Sequence, residues 1–443
     1  MHTARRMTNT MTSKGDDGMK YVLVLAAVSA ATVAFGGFWD AVNKVKRTVD
    51  TVNAVGDLIN GSSSTTDKPS SPAPASAPAA STAPATSAKP AAAAPAAPAV
   101  PAADPALVAS FAQQRTASAD TAVPEVKYGS VYFKKPATPE QIQEAKTAYL
   151  ADKREIRNAR LNFEGVDDAT LAAGLAAFAG ASYVSVKESN LTTLAPFAIV
   201  RSATQVQLYK VQCTDLKPLA SCAAVRTLEI KYCSITDMSG LSAMPALESI
   251  DLYGSTVAGS FAPLASCPRL RKIDFYAVKA PQETYDSLGA LKQVTSFYGG
   301  LTKMTSLKWV ASVPQATELK VFAEKIDDMS PVSKLSNLTY FRGWNMDGKS
   351  MATALGDLSF LANCRKLKKL ELPGSAYSNT AVIGTFADLE ELDLSTAKQP
   401  VDVSFVKSLP KLKRIALRGT EVVNGSAIPA SVKVYSDDKT KGL

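Results

Sequence analysis

The amino-acid sequence predicts an α/β solenoid, in which short repeats stack and each repeat adds one strand to a parallel β-sheet. Apolar pairs separated by one residue recur every 22 residues, as at Val184 and Val186 and then at Val206 and Leu208. Residues 226–247 follow an apolar spacing of the form L-x-x-L-x-L-x-x-N/C-x-L. Because alternate strand residues point to opposite faces of a sheet, the apolar pairs of all repeats are expected to face one common core.

This spacing is the leucine-rich-repeat signature, and it predicts a leucine-rich-repeat domain over residues 161–443. The domain should contain about 12 or 13 strands. The first apolar residues of these strands are Leu161, Val184, Val206, Leu228, Ile250, Ile273, Phe297, Leu319, Phe341, Leu370, Leu392, Ile415 and Val432. A repeat of this length has little room for a full return helix, so 3₁₀ turns are expected between strands. One return is longer, since Phe341 and Leu370 stand 29 residues apart, and residues 345–361 are expected to form an insertion.

The return segments resemble the I-T-D-x-S-P-L phrase of bacterial internalin-type repeats. The matching stretches are T-D-L-K-P-L at 214–219, I-T-D-M-S-G-L at 235–241 and I-D-D-M-S-P-V at 326–332. The resemblance implies a curved horseshoe that binds a protein on its concave sheet. The chain departs from this family at the asparagine ladder, whose positions hold Ser189, Val211, Cys233, Ser255, Val278, Ser375 and Thr420. It also shows no immunoglobulin-like domain and no cell-wall sorting motif after the repeats, so a host-cell receptor is not implied.

Residues 1–37 have the pattern of a secretory signal peptide, with Met19 as the expected start of translation. An apolar run at 21–35 follows Lys20, and Ala34-Phe35-Gly36, with small residues at its first and last positions, suits cleavage. The competing interpretation is an uncleaved membrane anchor, because the apolar stretch reaches Trp39 and about 20 residues span a bilayer. The chain is therefore expected to be exported across the inner membrane, and to be secreted, periplasmic or attached to the cell envelope.

Four segments lead from the signal to the repeats. Residues 38–60 carry an apolar stripe at helical spacing, which could form a coiled coil between copies of the chain or, with the rest of 20–60, lie on a membrane. Residues 61–105 are almost entirely Ser, Thr, Ala and Pro, which predicts a disordered linker. Residues 106–137 are expected to be an irregular lead-in. Residues 138–160 should form a helical cap, because Thr138 suits an N-cap and Pro139 suits the first turn.

Composition argues against most enzyme classes. The single histidine, His2, lies in the predicted signal segment, so the mature chain would lack the imidazole that Ser-His-Asp or Cys-His catalysis and most zinc sites need. The catalytic motifs HExxH and GxSxG are absent from the sequence. The net charge of +9 is spread along the chain and does not indicate nucleic-acid binding. The sequence predicts a protein without catalysis, cofactor or metal.

The five cysteines fit the repeat pattern. Cys222, Cys267 and Cys364 each follow a leucine by three residues, so they are expected to share one small, buried core position as free thiols. Cys222 and Cys267 lie two repeats apart, about 10 Å, which is too far for a disulfide. Only Cys213 and Cys233, on adjacent repeats, could meet.

Aromatic and charged residues recur at positions predicted to face solvent from the sheet. The register places Tyr209, Tyr253, Tyr276, Phe322 and Trp344 in one outward slot. That slot also holds Lys187, Lys231 and Gly300. Tyr298 occupies the middle slot of its strand, which elsewhere carries Glu229, Asp251, Asp274, Lys320 and Arg342. An aromatic centre with a charged surround is typical of binding interfaces. A competing interpretation is that the rings pair with one another only to stabilise the sheet.

The sequence thus predicts an exported, non-catalytic protein that binds a protein or glycan ligand on an aromatic-rich concave face. The alternative is a passive structural scaffold of the cell envelope. Because acidic residues lie towards one end of the face and basic residues towards the other, a ligand of opposite charge polarity is expected.

Overall fold

The computed structural model describes residues 120–212, 215–323, 326–344 and 355–443. The predictions for 1–37, 38–60, 61–105 and Cys213 lie outside these ranges, as do the first ten residues of the predicted insertion. No helix in the described ranges is long and apolar enough to cross a membrane.

The repeats form a 15-stranded sheet, and its strands lie side by side in the order in which they occur along the chain. Strands β1 and β2 pair antiparallel, and from β2 onwards all neighbours run parallel. The strands are β1 Glu125–Lys127, β2 Ser130–Phe133, β3 Arg160–Glu164, β4 Tyr183–Lys187, β5 Gln205–Tyr209, β6 Thr227–Lys231, β8 Ser249–Asp251, β10 Lys272–Asp274, β11 Ser296–Thr302, β12 Glu318–Ala323, β13 Tyr340–Gly343, β14 Lys369–Glu371, β15 Glu391–Asp393, β17 Arg414–Ala416 and β19 Lys433–Tyr435. Each main-sheet strand from β3 to β17 contains one predicted apolar start, and the predicted solenoid fold is confirmed. The last predicted start is wrong by two residues, because Val432 lies just before β19 and Val434 is the residue that pairs with Ile415.

Two small ladders lie beside the main sheet. Strand β7 (Ser234–Ile235) pairs with β9 (Thr256–Val257), and β16 (Val401–Asp402) pairs with β18 (Val422–Val423). Each ladder joins the segments that follow the main strands of two adjacent repeats.

The lead-in expected to be irregular contains the β1–β2 hairpin. Tyr128 and Gly129 form its two-residue turn with positive φ angles of 51° and 77°, which is the geometry that matches the twist of paired strands. Val131 and Phe133 are fully buried and extend the core by one strand. The alternating apolar residues of β2 carried this signal, but tyrosine is an unusual residue for such a turn.

Three α-helices occur in the described part of the chain: α1 Pro139–Ala151, α2 Asp168–Ala177 and α3 Gln282–Asp286. Helix α1 begins where the sequence predicts, because the Thr138 hydroxyl accepts a hydrogen bond from Gln141 N at 3.2 Å and the Gln141 side chain accepts from Thr138 N at 2.8 Å. It ends well before residue 160, and a 3₁₀ turn at Ile156–Asn158 follows. Because α1 connects β2 to β3, it is the return segment of a repeat, and its role as an end cap stays a prediction.

The other returns are mostly 3₁₀ turns, as the repeat length predicts. They lie at Ala195–Ile199, Lys217–Ser221, Ser239–Ala243, Ala262–Ser266, Ser287–Ala290, Lys308–Ser312, Ser330–Lys334, Leu358–Leu361, Thr380–Thr385, Ser404–Ser408 and Gly425–Ala427. The core lies between these turns and the sheet. The predicted burial of Cys222, Cys267 and Cys364 is confirmed, since each is 0% exposed and is a free thiol. Their Sγ atoms lie 3.1–3.7 Å from carbonyl oxygens of the preceding repeat.

Hydroxyl groups replace part of the asparagine ladder. The Ser255 hydroxyl donates to Ile230 O at 2.8 Å and accepts from Cys233 N at 3.1 Å. The Thr420 hydroxyl does the same between Leu394 O and Ala397 N, at 2.9 and 3.2 Å. These side chains satisfy backbone groups where each strand turns into its return segment, which is the task of a side-chain amide in an asparagine ladder.

A left-handed residue occurs one to three positions after the end of many strands. Glu188, Lys210, Tyr232 and Ala277 have φ between 44° and 55°, and Gly254 has φ 69°. The N–H of each donates to a carbonyl of the following repeat at 2.5–3.0 Å. This turn redirects the chain from the sheet towards its return segment, and it gives the side chain of Tyr232 an outward position.

Candidate functional site

Seven rings form a continuous series across the sheet, here called the aromatic row. Its members are Tyr209, Tyr232, Tyr253, Tyr276, Tyr298, Trp344 and Phe322. Successive ring centroids along this series lie 5.3–6.3 Å apart. The row extends over seven neighbouring strands, from β5 to β13, a length of about 29 Å at ~4.8 Å per strand.

The rings lie on one face of the sheet, here called the open face. It is the face towards which the middle residues of the strands point. Lys320 defines this side, because its neighbours Leu319 and Val321 are buried in the core. The sequence placed six of the rings on this face but missed Tyr232. Its left-handed backbone, rather than a regular strand slot, brings it between Tyr209 and Tyr253.

Two consecutive glycines make room for the centre of the row. A Cβ atom on Gly299 would overlap the Phe275 ring in the core, and one on Gly300 would overlap the Tyr276 ring on the open face. The register between β11 and β12 shifts after Gly299. Gly300 therefore leaves a gap in the outward slot, which Tyr276, Tyr298 and Trp344 fill from its sides.

Exposure decreases along the row. Tyr232 is 38% exposed, and Tyr209, Tyr253, Tyr276 and Tyr298 are half-buried. The expectation that Phe322 and Trp344 face solvent is wrong, because each is only 3% exposed. Their rings stack 5.3 Å apart at 21°, and the Arg342 guanidinium lies 4.4 Å from the centre of the Trp344 ring.

The acidic end of the face is partly neutralised. Lys231 lies 2.8 Å from Glu229 and 2.9 Å from Asp251, and the amide groups of Gln205 and Gln207 donate to Glu229. Burial raises the pKa of Glu229, but the bonds from Lys231 and the two glutamines have the larger combined effect, so the net pKa lies below its usual value. Lys231 thus supplies one of the positive charges that a ligand was expected to bring.

The basic end is also paired in part. Arg342 Nε lies 3.2 Å from Glu371, and Lys369 lies 2.9 Å from the same carboxylate. The Tyr340 hydroxyl donates to Glu371 at 2.9 Å. Sequence reasoning missed Glu371, although it occupies on β14 the same middle slot that Arg342 occupies on β13.

Asp274 and Lys320 form no ion pair among the described residues. They flank Tyr298 in register, with Asp274 beside it on β10 and Lys320 beside it on β12. Burial, with the nearby charge of Asp251, raises the pKa of Asp274 to about 6. Burial lowers the pKa of Lys320, and the positive charges of Lys272 and Arg342 add to this, whereas the carboxylates of Glu318 and Glu371 act in the opposite direction. Among the charged residues predicted for the middle slots of this face, Asp274 and Lys320 are the two without an ion pair in the described structure.

The described ranges contain no cluster of His, Cys, Asp and Glu that could hold a metal ion. Two shallow concavities lie elsewhere, one beside Tyr149 and Arg154 and the other beside Pro410 and Lys413. Neither is lined by Asp251 or Asp274, which lie on the open face.

No family model and no curated protein matches the chain. Among solved structures, an internalin of Listeria monocytogenes is similar at 16% identity and a TM-score of 0.50, over 75% of this chain and 89% of the internalin chain. The TLR13 chain of a TLR13-ssRNA13 complex is similar at 12% identity and a TM-score of 0.51, over 69% of this chain and 52% of the other. The resemblance to internalin-type repeats is confirmed at the level of the leucine-rich-repeat fold.

Proposed function

We propose that this chain is an exported, non-catalytic binding protein that holds a protein ligand against its aromatic row. The observation that supports this most is the row itself: seven rings in unbroken contact, five of them partly open to solvent. Tyrosine, tryptophan and arginine are the residues enriched at the energetic centres of protein interfaces. Solenoids commonly bind their ligands on extended surfaces of this kind.

The packing of the rings favours a protein over a glycan ligand. Sugars stack on open ring faces, whereas Tyr253 and Tyr276 cover one face of each other with planes only 1° from parallel. Trp344 has Phe322 on one side and Arg342 within 4.4 Å. Such rings present mainly edges and hydroxyl groups, which suit apolar contacts and hydrogen bonds with a polypeptide.

The scaffold alternative assigns the rings a purely structural role. Cross-strand aromatic pairs do stabilise sheets, by about 0.2–1 kcal/mol each. A structural role alone does not require the partly exposed hydroxyl-bearing edges of Tyr209, Tyr232 and Tyr253, since aliphatic side chains would pair equally well in those slots.

Export belongs to the same proposal and is supported by the apolar run at 21–35 and the small residues after it. Attachment to a membrane through 20–60 and self-association through 38–60 are also proposals that rest on sequence pattern. The proposal does not include a nucleic-acid ligand, because Lys231, Arg342 and Lys369 on the open face are already paired with carboxylates.

The test uses the full chain and a display library of random nonapeptides, whose extended length of about 30 Å matches the row. We expect the wild-type chain to enrich peptides, and Tyr253→Ala to weaken the best of them at least about tenfold. Tyr128→Ala is the matched control, because Tyr128 is 85% exposed and lies outside the row. A glycan array in parallel tests the other ligand class. Equal binding by Tyr253→Ala and the wild type, or binding of glycans alone, would refute the proposal.

A further inference from the structure

We propose that the Lys320 corner of the aromatic row, formed by Lys320, Arg342 and Trp344, binds a carboxylate of the ligand. This inference rests on the proposed function and specifies the chemistry of the protein segment that the row would hold. That segment carries an Asp or Glu side chain, or a C-terminal carboxylate, beside apolar residues.

Lys320 is a cation that forms no ion pair among the described residues, although the carboxylates of Glu318 and Glu371 attract it from further away. Its neighbours in register on the open face are Tyr298 and Arg342, and its ammonium group lies 5.4 Å from the Tyr298 ring centre and 4.6 Å from that of Tyr340. Ring faces attract a cation, but they accept no strong hydrogen bond. The three N–H donors of the ammonium group are thus left for a partner outside the described residues.

The other cations of this face show the contrast. Lys231 contacts two carboxylates at 2.8 and 2.9 Å, and Lys369 contacts two at 2.9 and 3.4 Å. Lys231 contacts Glu229 on its own strand and Asp251 on the next strand. Lys369 contacts Glu371 on its own strand and Glu391, its register partner on the next strand. At the two middle slots that flank Lys320, the chain instead places an aromatic ring and a second cation. Glu318 lies two residues before Lys320 on the same strand, as Glu229 lies before Lys231, but it accepts a hydrogen bond from Ser296 and forms no ion pair with Lys320 in the described structure.

Trp344 supplies a second, independent sign of an absent acceptor. The residue is 3% exposed, and its indole Nε1 is buried without a hydrogen-bond partner in the described structure. Arg342 Nε is also buried, and although it lies 3.2 Å from Glu371, its N–H is not directed into a hydrogen bond. Buried donors without acceptors are costly and rare, so two of them at the end of the strand that pairs with the Lys320 strand point to a site completed by a ligand.

A carboxylate fits this corner better than a neutral group. It has two oxygens and about four acceptor positions, so it can take hydrogen bonds from an ammonium group and from an indole or guanidinium N–H together. Lys320 and Arg342 stand on adjacent strands about 4.8 Å apart, a separation that one carboxylate can bridge. Half-burial of Lys320 strengthens the attraction, because water screens it less there than on an exposed surface.

The test uses the full chain and the random nonapeptide library. We expect the wild-type chain to prefer peptides with Asp or Glu, and replacement of that residue by Asn or Gln to weaken binding at least about tenfold. Lys320→Gln should bind the acidic and the amide peptide equally. Lys272→Gln is the matched control, because Lys272 is an exposed lysine on β10 and its loss changes the net charge by the same amount. Amidated and free C-termini distinguish a side-chain carboxylate from a terminal one.

A spectroscopic readout needs no variant of the chain. On binding the acidic peptide, the indole N–H signal of Trp344 should move downfield, whereas that of Trp309, which already donates to Met304 Sδ at 3.3 Å, should stay in place. Enrichment of peptides without a preference for a carboxylate, or equal losses in Lys320→Gln and Lys272→Gln, would overturn this inference alone. Failure to enrich any peptide would overturn the proposed function and this inference with it.

Discussion

The rings of Tyr253 and Tyr276 stack across neighbouring strands, with centroids 5.4 Å apart and planes 1° from parallel. This contact joins the half-exposed part of the aromatic row, where Tyr209, Tyr232 and Tyr253 meet edge to face, to the buried part around Trp344. One continuous series of rings can therefore support the sheet at one end and remain available to a ligand at the other. Variants at the two ends should separate these effects.

The first prediction compares Tyr253→Ala with Trp344→Ala. Loss of the half-buried Tyr253 ring should lower the free energy of unfolding by about 1 kcal/mol, the value of an aromatic pair. Loss of the buried Trp344 ring should lower it by about 3–5 kcal/mol, because it leaves a cavity. Urea unfolding measures both. The solvent-facing position expected for Trp344 from the sequence implies almost no loss of stability, and a midpoint unchanged by Trp344→Ala would favour that position.

The second prediction concerns two glycines with positive φ. Gly254→Ala and Gly419→Ala should each lower the free energy of unfolding by about 1–2 kcal/mol, because φ is 69° and 64° at these positions. Only at Gly254 would the new Cβ meet a ring of the row, 2.7 Å from Tyr232 Cε1. The Thr396 methyl lies 3.5 Å from a Cβ at Gly419. Peptide binding should therefore weaken in Gly254→Ala and persist in Gly419→Ala, and equal affinities would show that Tyr232 takes no part in binding.

The third prediction concerns the core thiols. Burial raises the pKa of Cys222 and Cys364 to about 12, and burial raises that of Cys267 to about 11. Because the thiolate is the reactive form, all three should resist iodoacetamide in the native protein and react quickly in urea. Mass spectrometry of the alkylated protein gives the extent at each position. Rapid native labelling, or a disulfide between Cys222 and Cys267, would contradict the core position.

The fourth prediction is a pH dependence at Asp274. Its carboxyl has a pKa of about 6 when folded, mainly through burial, against a usual value of 3.8. Between these values the folded state binds more protons than the unfolded state, so this group lowers stability as pH rises from about 4 to 6. Asp274→Asn keeps the Oδ1 acceptor for Tyr276 N, which lies 3.0 Å away, and removes the buried charge.

Asp274→Asn should therefore raise the unfolding midpoint at pH 7, and the gain should shrink towards pH 4. Asp251→Asn serves as the control, because Asp251 contacts Lys231 at 2.9 Å and loses that ion pair on substitution. Its midpoint at pH 7 should fall or stay level. A gain in Asp274→Asn that is the same at pH 4 and pH 7 would show that Asp274 does not titrate in this range.

The repeat spacing alone determined the parallel strands from β3 to β19, the 3₁₀ returns and the shared position of Cys222, Cys267 and Cys364. Each of these follows from chain-local rules, since apolar alternation decides which residues enter the core and repeat length limits the return segment. The same rules missed the β1–β2 hairpin, because Tyr128 adopts a backbone conformation that its residue type does not signal.

The tertiary structure decided the character of the open face. Outward slots follow from the spacing, but exposure depends on what neighbouring side chains cover, and Phe322 and Trp344 are buried by stacking and by Arg342. Ion pairing is likewise a property of adjacent repeats, whose residues stand far apart in sequence. Contacts from Lys231 and Glu371 neutralise part of the predicted polarity, and Asp274 and Lys320, on either side of Tyr298, form no ion pair among the described residues.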